Sequence, residues 1–298
     1  MPVDSPRTGV AVAFAGALLL SLDTLLLRGI DGHFLTVAFW RGLLMGLSAM
    51  LFMLLLRRRR HPAFGPVRSP GGLAVAGLYG LASVFFVLGV AFTSVANLLV
   101  IVATAPLWAA LASSLFLREV IASSTWVAMA CGLAGVCVVV LPGLGASHAA
   151  GDAFALATAL CMAGAFTMSR RVQEPLGLAP SLGGGMSAIV LAPFVPAFGF
   201  ETRDQTVLMA LEGAALMPVA LGLVALAPRY LPAPQVGLFL LLETALGPLW
   251  VWLFIGETPS ANAALGGVVV VSALAVHSLL CLRSLPRDLR TRNVPDPD

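Results

Sequence analysis

The sequence predicts an all-α integral membrane protein: ten transmembrane helices arranged as two inverted five-helix repeats, both termini cytoplasmic. Three observations lead there. The 298-residue chain is 59% hydrophobic and only 10% charged, whereas a soluble domain carries about 25% charged residues. Its apolar runs are close to the ~20 residues a helix needs to cross the hydrocarbon core, about twice the length of an alternating barrel strand. The chain also repeats itself. Val100–Glu119 ends Leu115-Phe116-Leu117-Arg118-Glu119, and Leu238–Glu257 ends Leu253-Phe254-Ile255-Gly256-Glu257. Each is the fourth span of a five-span block, and an odd-span block followed by its copy enters the membrane upside down relative to the first.

The spans fall at 8–27, 34–56, 71–92, 95–117, 124–142, 150–169, 180–198, 206–226, 233–255 and 261–282. The first follows Arg7 and is too long for a signal core of about 7–15 residues, so it is expected to stay in the mature protein. The second carries Gly42 and Gly46 at helical spacing and runs into Arg57-Arg58-Arg59-Arg60-His61. The fourth holds Pro106-Leu107-Trp108, which recurs in the ninth as Pro248-Leu249-Trp250, four residues out of register. The fifth has Ala128 and Gly132, and the tenth Ala263 and Gly267. The sixth, Gly151 to Arg170, aligns with Gly9 to Arg28 of the first. Small pairs of this kind let backbones approach in lipid, and packing within one chain is favoured over a dimer face. Pro193, Pro196, Pro218, Pro232 and Pro234 interrupt the later spans. Each proline removes a backbone donor, and the freed carbonyl must find a partner or a cavity. Residues 1–147 form the first repeat, 148–282 the second and 283–298 a cytoplasmic tail, packed as one domain.

Every one of the seventeen basic residues is arginine. With the N-terminus inside, cytoplasmic segments collect Arg7, Arg57 to Arg60, Arg68, Arg118, Arg170, Arg171, Arg229, Arg283, Arg287, Arg290 and Arg292. Only Arg28 and Arg203 fall outside, an asymmetry that satisfies the positive-inside rule. The Arg57–His61 run is read as a topology determinant, and the net charge of +3 implies no nucleic-acid partner. Cys131, Cys137, Cys161 and Cys281 fall within spans as packing residues. No metal-ligand spacing, phosphate-cradling loop or nucleophile elbow is present, so the expectation is a non-enzyme without metal or cofactor.

Ionisable residues inside spans are costly and therefore functional candidates: Asp23, Arg41, Glu212, Glu243 and His277. By helix rise, Asp23 and Arg41 lie about 7 and 10 Å below the outer ends of their spans, close enough to pair. The pair either locks a hairpin or grips a zwitterion. Glu243 sits near the middle of the ninth span with no obvious partner, a candidate for proton coupling, a substrate amine or an interhelical hydrogen bond. Glu212 is expected nearer the outer surface, facing water. Glu119 and Glu257 close helices where a carboxylate opposes the dipole, so each needs a partner, an Arg or the amides of the next helix. Asn97 and Gln235 occupy equivalent starts of the fourth and ninth spans, as gate or capping residues. Trp40, Tyr79, Trp108, Phe166 and Trp250 are the aromatics expected along a cavity, and Trp126 is expected at the interface. Inverted repeats commonly build secondary transporters with a midplane site, so transport is the leading expectation.

The two five-span halves, the small-rich first spans, the Arg early in the second span and the Leu-Phe-Leu-Arg-Glu and Leu-Phe-Ile-Gly-Glu closers resemble the EamA branch of the drug/metabolite transporter superfamily, over about residues 8–282. Within it the chain is most similar to bacterial amino-acid exporters of the YddG type. The resemblance implies a basket-like bundle, with helices one to four and six to nine around a central cavity and five and ten as outer supports. It also implies export of neutral or aromatic amino acids across the bacterial inner membrane by alternating access. Arg41, Glu119 and Glu257 match the family's positions. Asp23, Trp40, Arg41, Tyr79, Asn97, Trp108, Phe166, Gln235 and Glu243 are the candidate substrate-binding residues. The partners are a small-molecule substrate and the bilayer, and the protein is read as a monomer, with a dimer as the alternative. A drug or sugar-phosphate carrier is the second reading. A lipid-modifying membrane enzyme is the remote one, since the acids are scattered over depth rather than clustered.

Overall fold

The computed structural model describes residues 6–30, 32–55, 66–93, 98, 101–140, 149–172, 174, 176–256 and 261–283. Among these residues every regular element is helical. The order is α1 (Pro6–Leu20), α2 (Asp23–Gly29), α3 (Phe34–Leu55), α4 (Pro70–Phe92), α5 (Ala105–Ala112) and α6 (Ser123–Val140). There follow α7 (Ala149–Ser169), α8 (Ala179–Leu191), α9 (Arg203–Leu211), α10 (Met217–Leu226), α11 (Ala233–Ile255) and α12 (Ala261–Arg283). Two π-helical turns, Ser113–Leu117 and Glu212–Leu216, continue α5 and join α9 to α10.

Local chemistry sets these ends. Ser69 caps α4 by accepting from the Gly72 N–H, with Pro70 in the first turn, where its missing donor costs nothing. Thr202 and Gln205 form a capping box at the start of α9. Pro106 and Pro218 stand in the first turns of α5 and α10; the fourth apolar run restarts as a helix at Pro106, whereas the eighth passes through its π-turn into Pro218 as one continuous segment.

Four segments are long and apolar enough to cross a membrane, Phe34–Leu55, Pro70–Gly89, Ala149–Ser169 and Arg203–Arg229, alongside shorter apolar helices. The outer surface is apolar too: Leu55, Ile189 and Phe254 stand more than two-thirds exposed. Water would penalise such a surface, and a backbone closed into helices is what hydrocarbon tolerates. The chain is a multi-pass membrane protein.

Glycine sets the closest contacts. The run Gly183-Gly184-Gly185 on α8 packs between α3 and α4. A Cβ on Gly42 would strike the Gly184 carbonyl, and one on Gly80 would stand 2.6 Å from the Gly183 carbonyl. Gly46 meets the Gly185 Cα, and Gly132 of α6 meets Leu241 of α11. These small-residue contacts are made within the chain. Helices α6 and α12 pack on one another at the side of the bundle.

Candidate functional site

One buried charge cluster joins three separate segments. The first apolar run breaks at Ser21 and Leu22, and Asp23 opens α2. The break is held by Ser21, whose hydroxyl donates to the Leu18 carbonyl at 2.6 Å and accepts from the Trp250 indole N–H at 2.8 Å. Arg41, early in α3, donates from Nη2 to Asp23 Oδ2 at 2.9 Å. Its Nε lies 3.2 Å from Glu212 Oε1, and Nη2 also reaches the Met217 sulfur at 3.2 Å. Asp23 and Glu212 are buried, at 3% and 0% exposure. No described donor group meets Asp23 Oδ1 or either Glu212 oxygen in hydrogen-bond geometry, and the Asp23 and Glu212 carboxyls lie within interaction distance of each other. The Arg41–Glu212 approach is thus a charge contact outside hydrogen-bond geometry.

The cluster opens onto a cavity with about 1090 Å³ of empty space, its mouth included. Asp23, Arg41 and Glu243 supply the charged wall, and Glu243 lies within electrostatic reach of both Asp23 and Arg41. The rest is mainly apolar. Phe86 and Val87 of α4, Met162 of α7 and Leu240 of α11 face it, with Ser83, Thr158 and Tyr79 as polar additions. Lining residues come from α1 to α5, α7, α8, α10 and α11, and none of the described residues of α6 or α12 contributes.

Four of the sequence candidates meet here: Asp23, Arg41, Tyr79 and Glu243. Tyr79 is buried edge-on to Phe166, ring centroids 6.4 Å apart, and its hydroxyl has no hydrogen-bond partner. The others stand elsewhere, each for a physical reason. Phe166 is fully buried behind Tyr79, as core. The Trp40 indole donates to the Phe198 carbonyl at 2.6 Å, tying α3 to the segment before α9. The Trp108 indole donates to Thr104 Oγ1 at 3.0 Å, closing the turn ahead of α5. Trp250 is occupied by Ser21. Gln235 lines a second pocket with Glu119 and Thr125. Asn97 and Glu257 lie outside the described residues.

Glu212 corrects its expectation: it is fully buried behind Arg41 rather than water-facing. Helix α9 starts at Arg203, earlier than the apolar run suggests, and the π-turn that begins at Glu212 re-aims the residue inward. An intramembrane acid was the signal, and counting depth from the apolar run misplaced it. Met45, Met162, Met217 and Thr158 also face the cavity and carry no sequence mark that separates them from core residues.

At the arginine-rich face, Arg170 at the end of α7 binds Glu119 through Nε at 2.6 Å and donates to the carbonyls of Pro228 and Leu231 at 3.0 and 2.7 Å. Arg171 donates to the Phe116 carbonyl. Glu119 therefore has the arginine partner its helix-end position requires. Nearby, Glu174 accepts from the Arg68 and Ser69 N–H groups.

The structure is an apolar helical bundle of a multi-pass membrane protein around an internal cavity with a charged wall. Residues 7–141 match the EamA-like transporter family. The first half of the chain is thus similar to the EamA-like transporter family. It is 26% identical over 245 residues to the uncharacterized transporter YdfC of Bacillus subtilis (strain 168), covering 78% of each chain. A solved crystal structure with 18% identity superimposes at a TM-score of 0.77, over 94% of this chain and all of that one. At that identity the likeness speaks to the fold.

Proposed function

We propose that the protein is a secondary transporter exporting small metabolites, above all neutral and aromatic amino acids, across the bacterial inner membrane by alternating access. The observation that carries this reading is the cavity: opposite charges, Asp23 and Arg41, share one wall of an otherwise apolar chamber. A zwitterion matches that layout, with its amine toward Asp23 or Glu243, its carboxylate toward Arg41 and its side chain against Phe86, Val87 and Tyr79. A few polar groups fix orientation and the apolar wall supplies contact area.

The proposed architecture is ten spans in two inverted halves, 1–147 and 148–282, that rock about this site. Supporting it, the two aligned closers end alike: Arg118 and Gly256 occupy equivalent positions and both adopt left-handed backbone, at φ 55° and 82°. Cavity-lining residues also come from both halves. A sugar-phosphate cargo is disfavoured because Arg41 is the one cation among the described lining residues.

The test is counterflow in proteoliposomes loaded in turn with threonine, methionine, phenylalanine or a phosphorylated sugar. Labelled amino acid accumulating only against amino-acid-loaded vesicles supports the reading. Absence of uptake with every amino acid, in monodisperse protein, overturns it in favour of another metabolite or drug.

A further inference from the structure

We propose that the arginine-rich face carries a binding site for the phosphate headgroup of an anionic phospholipid, formed by Arg118, Arg171 and Arg229 around the Arg170 clamp. The inference does not rest on the transport reading.

The clamp gathers three arginines from separate segments. Arg170 holds Glu119, the neighbour of Arg118, and binds the carbonyls of Pro228 and Leu231, on either side of Arg229. Arg171 reaches the Phe116 carbonyl, within the π-turn that ends at Arg118. Arg118, Arg171 and Arg229 are all exposed. The acids nearby are engaged: Glu119 by Arg170, and Glu174 by the N–H groups of Arg68 and Ser69. Among the described residues no carboxylate makes an ion pair with Arg118, Arg171 or Arg229.

Topology asks for positive charge on this face, but not for the backbone that presents it. Arg118 is left-handed at φ 55°, whereas the aligned Gly256 takes the same conformation without steric cost. No other non-glycine residue among those described has a positive φ. A strained position held by a long cationic side chain, directly after a π-turn, marks a side chain with a task. Completing the helix end is not that task, because Arg171 already serves the Phe116 carbonyl there.

The surroundings fit a lipid. Leu115 and Phe116 are each 66% exposed and Val120 is 98% exposed, so the guanidiniums border an apolar strip on which acyl chains can lie. Trp126 stands half-exposed one turn into α6, and tryptophan settles at headgroup level. A guanidinium meets a phosphate with paired N–H donors, and the unpaired arginines supply the charge that an anionic headgroup lacks. A free phosphate would use the arginines and leave the apolar strip bare.

The test is native mass spectrometry of the full-length protein in neutral detergent, titrated with phosphatidylglycerol or with phosphatidylcholine of the same chains. The wild type is expected to retain phosphatidylglycerol in preference. Arg118→Gly and Arg229→Gln are each expected to weaken that retention about fivefold, the worth of one arginine near an anionic lipid surface. Arg203→Gln, at the opposite end of the segment that Arg229 closes, should leave it unchanged. Both replaced arginines are exposed and Arg118→Gly relieves backbone strain, so these chains should fold; unfolding midpoints in lipid-free detergent check that they do. Equal retention of the two lipids, or equal losses from Arg203→Gln and Arg118→Gly, overturns the proposal. Displacement of bound phosphatidylglycerol by inorganic phosphate at equal concentration also overturns it, in favour of a free-anion site.

Discussion

Arg41 has more partners than it can serve. Removing it strands Asp23 and Glu212 together in a buried site, and breaking such a pair from one side costs about 3–5 kcal/mol. Arg41→Ala is therefore expected to lower the unfolding midpoint in detergent sharply. Arg170→Ala, at a salt bridge with both side chains one-quarter exposed, should lower it less. Equal losses would mean that the buried cluster is not the stronger restraint. The pairing of Asp23 with Arg41 was legible in the sequence, because two intramembrane charges of opposite sign at similar depth have few other choices. The burial of Glu212 was not legible. It depends on where α9 starts and on one π-turn, and apolar composition encodes neither.

At the scale of the element, helix ends and helix contacts carry distinct sequence signals. Arg118 ends its helix in the left-handed region that Gly256 uses at the matching position. A non-glycine residue there costs about 1–2 kcal/mol. Arg118→Gly should accordingly stabilise the fold by about 1 kcal/mol, seen as a higher midpoint on thermal unfolding, and an unchanged or lower midpoint would refute a strained backbone there. Gly183→Ala drives a Cβ into the Ala76 carbonyl, whereas a Cβ on Gly77 meets nothing within 4 Å. The first should destabilise by about 1–3 kcal/mol, and the second should be neutral or gain up to about 1 kcal/mol in helix propensity. Matching effects from the two would refute close α4–α8 packing. The small-residue spacing of Gly42 and Gly46 already marked a contact surface. Which helix it meets could not be read, since partner choice depends on the three-dimensional path of the loops.

At the scale of the molecule, the Arg170 clamp ties the end of α5, the end of α7 and the link between α10 and α11 at one face. If the bundle rocks, this tie holds that face shut. Arg170→Ala should then expose the second pocket, beside Glu119. A cysteine placed at Thr125, buried in that pocket, in a chain with its native cysteines replaced by serine, is expected to react faster with a membrane-impermeant maleimide when Arg170 is removed. An unchanged rate would show that the clamp does not govern access. The apolar segments were readable because lipid imposes one rule on their whole length. Of the aromatics expected along the cavity, Tyr79 lines it, but the tryptophans do not, since a tryptophan such as Trp40 or Trp250 serves equally well to pin a backbone break.

Three residues of the cavity wall, Met45, Met162 and Met217, are methionines. Their unbranched thioether chains rotate easily and fill irregular space, so this part of the chamber moulds itself to whatever shape enters, while the charged wall stays fixed by its ion pairs. If the proposed cargo binds here, discrimination would reside at the polar end of a solute and tolerance at the apolar end. Such a chamber sorts molecules by head group and treats their tails as interchangeable. Under the proposed transport reading, solutes that share the head would compete for one exit.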